Sequence, residues 1–85
     1  MSHKQKLLFK LTNSPNSFTF DDAESLLGCF GYYRSDKGKT SGSRVVFVNA
    51  STSAKIMLHR PHPQKELRHY QIKQLLQHLY QEGLL

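Results

Sequence analysis

The residues best suited to chemistry lie in one stretch, where an apolar run meets two histidines, an arginine and two prolines. This stretch is Ile56-Met57-Leu58-His59-Arg60-Pro61-His62-Pro63. A neutral imidazole can act as a general base, and a guanidinium can hold a phosphate through two parallel hydrogen bonds. Two imidazoles and a guanidinium at the end of a predicted strand therefore indicate phosphate chemistry. On residue chemistry alone, His59 and His62 are equal candidates.

The spacing of the histidines argues against a metal site. His59 and His62 are separated by Pro61, and no carboxylate lies beside them. His69 and His78 fall on different faces of the predicted last helix, where we expect solvated side chains. We therefore predict no metal ion and no other cofactor.

A lysine-rich loop supplies further candidate phosphate ligands. Gly38-Lys39-Thr40 resembles the end of a nucleotide-binding loop, but Tyr33 stands where that pattern needs a glycine, and a strand follows where it needs a helix. A triphosphate site is therefore excluded. Lys37, Lys39 and the backbone amides of the loop are instead predicted to contact the backbone phosphates of a nucleic acid.

The distribution of charge indicates the same class of partner. The 85 residues include 12 Lys and Arg against 6 Asp and Glu, which gives a net charge of +6. Three of the acids lie within 21–24, whereas 34–73 holds nine basic residues and two acids. A domain with such a basic half usually binds a polyanion, and a merely solubilising surface is the alternative.

The length allows one small domain, in which apolar spacing predicts three helices. The first precedes a loop at 13–17, the second starts at the N-cap Thr19, and the last spans about 67–82. The acids of 21–24 fill the first turn of the second helix, so we assign them to helix capping and not to metal binding. Cys29 is expected to be a small buried residue.

Three strands are predicted between the second and last helices, at 32–36, 44–48 and 55–59. Their short connections indicate an antiparallel meander. The expected fold is α+β in the order α-α-β-β-β-α, with a three-stranded antiparallel sheet and the helices on one face.

The sequence leaves the strand register open. If Ile56 and Leu58 face the helices, His59 shares the outward face with Lys55 and Met57, but a bulge before 61 would change this. Of the aromatic residues Tyr32, Tyr33, Phe47 and Tyr70, Phe47 and at least one tyrosine are expected in the core, and one of the tyrosines at 32 and 33 is expected to be exposed. An exposed one could stack on an unpaired base.

Targeting signals are not evident. No apolar run reaches the roughly 20 residues of a membrane span, and the charged N-terminus lacks a signal-peptide pattern. A single cysteine excludes an internal disulfide and a cysteine-based zinc cluster. We expect a cytoplasmic protein with no membrane partner and no small-molecule cofactor.

Two motifs resemble those of the HicA family, the toxins of bacterial type II toxin–antitoxin pairs. One is a Gly-Ser-His that opens a strand after a lysine-rich loop, here Gly42-Ser43-Arg44-Val45-Val46-Phe47. The other is a Pro-His-Pro followed by Lys, an acid and Leu, here Pro61-His62-Pro63-Gln64-Lys65-Glu66-Leu67. With a similar closing helix, the resemblance covers 31–85. Residues 1–17 look like an N-terminal extension of a core at 18–85.

This resemblance implies a fold similar to a double-stranded-RNA-binding domain, ribosome-independent cleavage of mRNA, and a HicB antitoxin that covers the active site. His62 matches the Pro-His-Pro motif and so becomes the favoured histidine, with His59 as an additional one. The residues predicted to bind RNA are Lys37, Lys39, Ser43, Arg60 and Lys65.

Arg44 stands where the family has its catalytic histidine. An arginine stays protonated and cannot be a general base, but it can stabilise negative charge on a phosphorane. We therefore predict an endoribonuclease in which His62 or His59 takes the proton of a 2′-hydroxyl, Arg44 clamps the phosphate and Lys39 positions the backbone, without metal. The alternatives are a catalytically inactive RNA-binding domain and a protein-interaction domain that binds an acidic antitoxin-like partner.

Overall fold

The structure, a computed structural model, describes residues 3–35, 44–61 and 63–85. Its elements are helix α1 (His3–Asn13), a 3₁₀ turn (Pro15–Ser17), helix α2 (Phe20–Cys29), strands β1 (Tyr32–Ser35), β2 (Arg44–Asn49) and β3 (Lys55–His59), and helix α3 (His69–Gln81). The strands form one antiparallel sheet in the order β1-β2-β3. The predicted α+β fold and its α-α-β-β-β-α order are confirmed.

Alternating side chains give the sheet two different faces. Val45 and Phe47 of β2 and Ile56 and Leu58 of β3 are buried against the helices. The opposite surface, here called the open face, carries Tyr33, Ser35, Arg44, Val46, Val48, Lys55, Met57 and His59. The register that places His59 beside Lys55 and Met57 on the outward face is therefore the one adopted.

The core fills the space between the sheet and the helices. Helix α2 contributes the buried Ala23, Leu26 and Leu27, at the spacing of one helical face. The stripe on helix α3 is made by its buried apolar residues Ile72, Leu75 and Leu79, and α1 adds Leu7 and Leu11 to the same core. Among the described residues, the helices pack on one side of the sheet, and the open face lies on the other.

Helix α2 begins with a reciprocal capping box. The Asp22 backbone N–H donates to Thr19 Oγ1, and the Thr19 N–H donates to Asp22 Oδ2, each at 3.1 Å. Lys10 Nζ of α1 donates to the same carboxylate oxygen at 2.7 Å. Burial opposes ionisation, but the hydrogen bonds from Lys10 and Thr19 outweigh it and hold the pKa of Asp22 below its ordinary value. The capping role predicted for the acid cluster is confirmed at Asp22.

Two local expectations are wrong. Helix α3 begins at His69 and not near 67, because the Leu67 N–H donates to the Phe18 carbonyl at 2.8 Å and holds this segment extended. Cys29 is exposed and not buried. It lies off the helical stripe formed by Ala23, Leu26 and Leu27.

Asn49 fastens the turn between β2 and β3 to the end of helix α2. Its side chain is buried, and its Oδ1 accepts from the backbone N–H groups of Ser51 and Thr52 at 2.8 and 3.0 Å. Its Nδ2 donates to the Phe30 carbonyl at 3.1 Å. The Asn49 amide therefore uses both its donor and its acceptor to fix the position of the β2–β3 turn relative to the end of α2.

We predict that Asn49→Ala lowers the free energy of unfolding by about 1–3 kcal/mol, because it leaves several backbone groups without a partner. Urea denaturation followed by circular dichroism measures the change. Ser51→Ala is the matched control, since only the Ser51 backbone N–H takes part in the turn, and it should change stability by less than about 0.5 kcal/mol. Equal effects of the two substitutions would contradict the role given to the Asn49 amide.

Candidate active site

The register of β2 and β3 places Arg44 directly opposite His59. Both side chains are exposed on the open face, at the end of the hairpin remote from its turn. The structure therefore brings together two of the three residues predicted to be catalytic, and a guanidinium and an imidazole share one end of an accessible surface.

The direction of the His59 carbonyl shows whether Arg44 and His59 form a hydrogen-bonded or a non-hydrogen-bonded antiparallel pair. That carbonyl points away from β2, since it accepts a hydrogen bond from Gln71 Nε2 of helix α3 at 2.6 Å. Arg44 and His59 therefore form a non-hydrogen-bonded antiparallel pair, in which Cα atoms typically lie about 4.5 Å apart and side chains are closest. This geometry allows both side chains to contact one phosphate.

Gln71 is the buried support of the site. Its side chain is 1% exposed, its Nε2 donates to His59, and its Oε1 accepts from the Arg68 backbone N–H at 3.0 Å. One amide thus caps the start of α3 and holds the end of β3. Nearer the middle of the strand, Gln74 Nε2 donates to the Met57 carbonyl at 3.0 Å, so α3 also covers part of the outer edge of β3.

Arg60 points to a different surface from His59. Its guanidinium carbon lies 4.9 Å from the centre of the Phe20 ring at the start of α2. Arg60 and Lys65, both predicted to bind RNA, line one pocket of about 210 Å³, together with Asp21. The structure brings these two residues together, but in a pocket whose lining does not include Arg44 or His59.

The remaining predicted site residues lie outside the described part of the chain. They are His62 in the Pro-His-Pro motif and Lys37, Lys39 and Ser43 in and after the lysine-rich loop. Their roles stay predictions.

His78 is partly buried, so the solvated position expected for it is wrong. Its Nε2 lies 2.6 Å from the hydroxyl of Tyr32. Burial, with a smaller contribution from the Glu82 carboxylate, raises the pKa of Tyr32. Burial lowers the pKa of His78, although Glu82 opposes the shift. The hydrogen bond between the Tyr32 hydroxyl and His78 Nε2, whose direction is set by the histidine tautomer, ties β1 to α3 on the inner side of the sheet.

The described ranges contain neither a cluster of metal-binding side chains nor a membrane-spanning helix. No group of three or more His, Cys, Asp or Glu within 3–35, 44–61 and 63–85 could hold a metal ion. No helix in the same ranges is long and apolar enough to cross a membrane.

Sequence reasoning missed Gln71, although a signal was present. Gln71 lies four residues before Leu75 and eight before Leu79, on the buried stripe of α3. A polar residue at an apolar position of a helix indicates a buried hydrogen-bonding role. The register places Lys55 on the outward face and makes Tyr33 the exposed tyrosine of the neighbouring pair, with Tyr32 buried.

Comparison with known protein families gives a match over most of the chain. The family described as "HicA toxin of bacterial toxin-antitoxin" matches residues 20–79, which run from the first residue of α2 into the last turn of α3. The match therefore includes the whole sheet and the segment from Arg60 to the start of α3. No curated protein and no solved structure gives a significant match.

We predict that Gln71→Leu lowers the free energy of unfolding by about 1–3 kcal/mol, since it removes the buried amide that pairs with the His59 carbonyl and the Arg68 N–H. Urea denaturation measures the stability, and amide and imidazole NMR spectra report whether His59 has moved. Gln74→Leu is the control, because Gln74 is exposed and bonds to the same strand, and it should cost less than half as much. A larger loss in the Gln74 variant would contradict this account.

Proposed function

Since the chain belongs to the HicA toxin family, we propose that it is an endoribonuclease that cleaves mRNA and is neutralised by a HicB-like antitoxin. The observation that carries the catalytic part is the cross-strand pair of Arg44 and His59 on the open face. The pair stands just before the Pro-His-Pro motif, so the motif histidine, His62, follows His59 by three positions in the chain.

The proposed reaction is an attack by the RNA on itself. One imidazole, of His62 or His59, removes the proton of a 2′-hydroxyl, and the resulting oxygen attacks the adjacent phosphorus. The bond from phosphorus to the 5′ oxygen breaks, and that oxygen takes a proton from an imidazolium. Arg44 donates hydrogen bonds to the non-bridging oxygens, whose negative charge grows in the transition state.

The other predicted RNA ligands fit roles away from the bond that breaks. Lys39 would position the backbone, with Lys37 and Ser43 contacting phosphates nearby. Arg60 and Lys65 line a separate pocket beside α2 and would hold a more distant part of the RNA. The chemistry requires no metal ion, because the imidazoles move the protons and the guanidinium stabilises the charge.

Charge supports an acidic protein partner. The net charge of +6 favours attraction of a negatively charged antitoxin as well as of RNA. A HicB-like protein that covers Arg44 and His59 would block access to RNA. We further propose that the protein acts in the cytoplasm, where its mRNA substrate is found.

A binding protein without catalysis is the second candidate, and Arg44 is the observation that favours it. By the resemblance of Gly42-Ser43-Arg44 to the family's Gly-Ser-His motif, Arg44 stands at the position of the catalytic histidine, and an arginine cannot serve as a base. In this case the Arg44–His59 pair would hold RNA, or an acidic partner, without cutting RNA.

We predict that His62→Ala and His59→Ala each relieve the growth arrest caused by overexpression. Whichever of the two substitutions removes the general base should slow cleavage of purified mRNA by about 10²–10⁴-fold. His69→Ala is the control, because His69 is exposed on helix α3. Circular dichroism confirms that each variant folds. If both histidine variants remain as toxic as the parent, the imidazole mechanism is wrong. If the parent itself cuts no RNA but binds it, the second candidate is correct.

We predict that Arg44→Ala weakens binding to RNA and reduces the slope of log affinity against log salt by about 1, because one phosphate contact is lost. Arg44→Lys should restore the slope but not the full affinity, since an ammonium does not form the paired hydrogen bonds of a guanidinium. Lys73→Ala, which removes an exposed charge from α3, controls for net charge. Fluorescence anisotropy with an RNA whose 2′-hydroxyls are methylated avoids cleavage. Unchanged affinity and slope in Arg44→Ala would remove Arg44 from the site.

A further inference from the structure

The open face exposes apolar and aromatic side chains that the catalytic proposal does not use. Tyr33 is 54% exposed and Met57 is 39% exposed. Val46 and Val48 lie between them on the central strand, in the rows Ser35–Val46–Met57 and Tyr33–Val48–Lys55. Tyr33 and Met57, with the half-buried Val46 and Val48 between them, form an apolar cluster on one face of a small sheet, which is typical of a binding surface.

The charges on this face indicate a polyanion as its occupant. The strands β1, β2 and β3 contain no Asp or Glu. Arg44 and His59 stand at one end of the face, and Lys55 stands at the other end in the row of Tyr33. A flat aromatic and apolar surface between cations is the pattern of proteins that bind single-stranded nucleic acid, where bases stack on side chains and phosphates contact Lys or Arg.

The strand geometry sets the length of this surface. Lys55 precedes His59 by four residues on β3. At about 3.4 Å per residue, their rows are separated by roughly 13–14 Å. An RNA strand with its reacting phosphate at Arg44 and His59 can therefore extend over Met57 and reach Tyr33 within a few nucleotides.

We propose that the open face binds an unpaired RNA strand, with one base stacked on Tyr33, a phosphate contacting Lys55, and the phosphate to be cleaved held at Arg44 and His59. The proposal rests on the proposed function, since it uses the same site for the reacting phosphate. It adds a base-binding position at a fixed distance from the cut and makes Tyr33 a determinant of which RNA sites are cut.

The chemistry of Tyr33 selects an unpaired strand over a duplex. In a duplex each base is already stacked between its neighbours, so its flat surface is not available to a side chain. Only a base released from such stacking can lie on the tyrosine ring. A fold similar to a double-stranded-RNA-binding domain would, by this proposal, use its sheet to bind single strands.

The test is a binding assay with a fluorescent oligoribonucleotide of unstructured sequence whose 2′-hydroxyls are methylated, as a single strand and as the duplex with its complement. We expect Tyr33→Ala to weaken single-strand binding by roughly 5- to 150-fold, the effect of losing one stacked base. Tyr33→Phe should bind like the parent, because the ring remains. Tyr80→Ala should also bind like the parent, since Tyr80 is a similarly exposed tyrosine on helix α3.

Different results would overturn this proposal alone or the proposed function with it. Unchanged single-strand binding in Tyr33→Ala, or a duplex bound more tightly than the single strand, overturns the proposal and leaves the proposed function standing if the parent still cuts mRNA. If Tyr33→Ala instead loses only the antitoxin-like partner, the face is a protein interface and the proposal is wrong. If the parent neither binds nor cuts RNA, this proposal and the proposed function both fail.

Discussion

The pairing register of β2 and β3 is the constraint on which the site depends. The register places Val45, Phe47, Ile56 and Leu58 inside the core. A slip of β3 by one residue would turn Lys55, Met57 and His59 towards the core and expose Ile56 and Leu58, at a cost of about 1.5–3 kcal/mol for each of these two apolar side chains. Burial of the inner residues thus fixes, without any direct contact, the juxtaposition of Arg44 and His59 on the other side of the sheet.

Two buried amides hold the opposite ends of this hairpin. Asn49 fastens its turn to the carbonyl of Phe30 after α2, and Gln71 fastens its open end to the start of α3. Among the described residues, no buried polar side-chain atom lacks a hydrogen-bond partner. Satisfied buried amides of this kind favour one arrangement over its alternatives, because any displacement leaves a donor or acceptor unpaired. The backbone that positions the His59 imidazole is therefore held by Gln71 at the open end of the hairpin and by Asn49 at its turn.

Apolar periodicity predicted the fold because each element buries one stripe, and the strand β3 was predicted with its observed ends. The histidines and the arginine were also found from the sequence, since their chemistry is specific to residue type. Their arrangement depended on register, which the sequence left open. Gln71 was missed because a glutamine in a helix is usually solvated. Cys29 and His78 were assigned to the wrong environment because a residue's exposure depends on its angular position around the helix axis, which the sequence does not fix. The resemblance to the HicA family is confirmed, although its motifs cover 31–85 and the family match covers 20–79.

The proposed cleavage depends on an imidazole that activates a 2′-hydroxyl while Arg44 stabilises the phosphate. The ends of the cut RNA test it most directly. Purified protein should cleave mRNA in excess chelator and leave a 2′,3′-cyclic phosphate on one product and a 5′-hydroxyl on the other, as determined by mass spectrometry of a defined oligoribonucleotide. Products with a 3′-hydroxyl and a 5′-phosphate, or cleavage that occurs only with a divalent metal ion, would contradict the account.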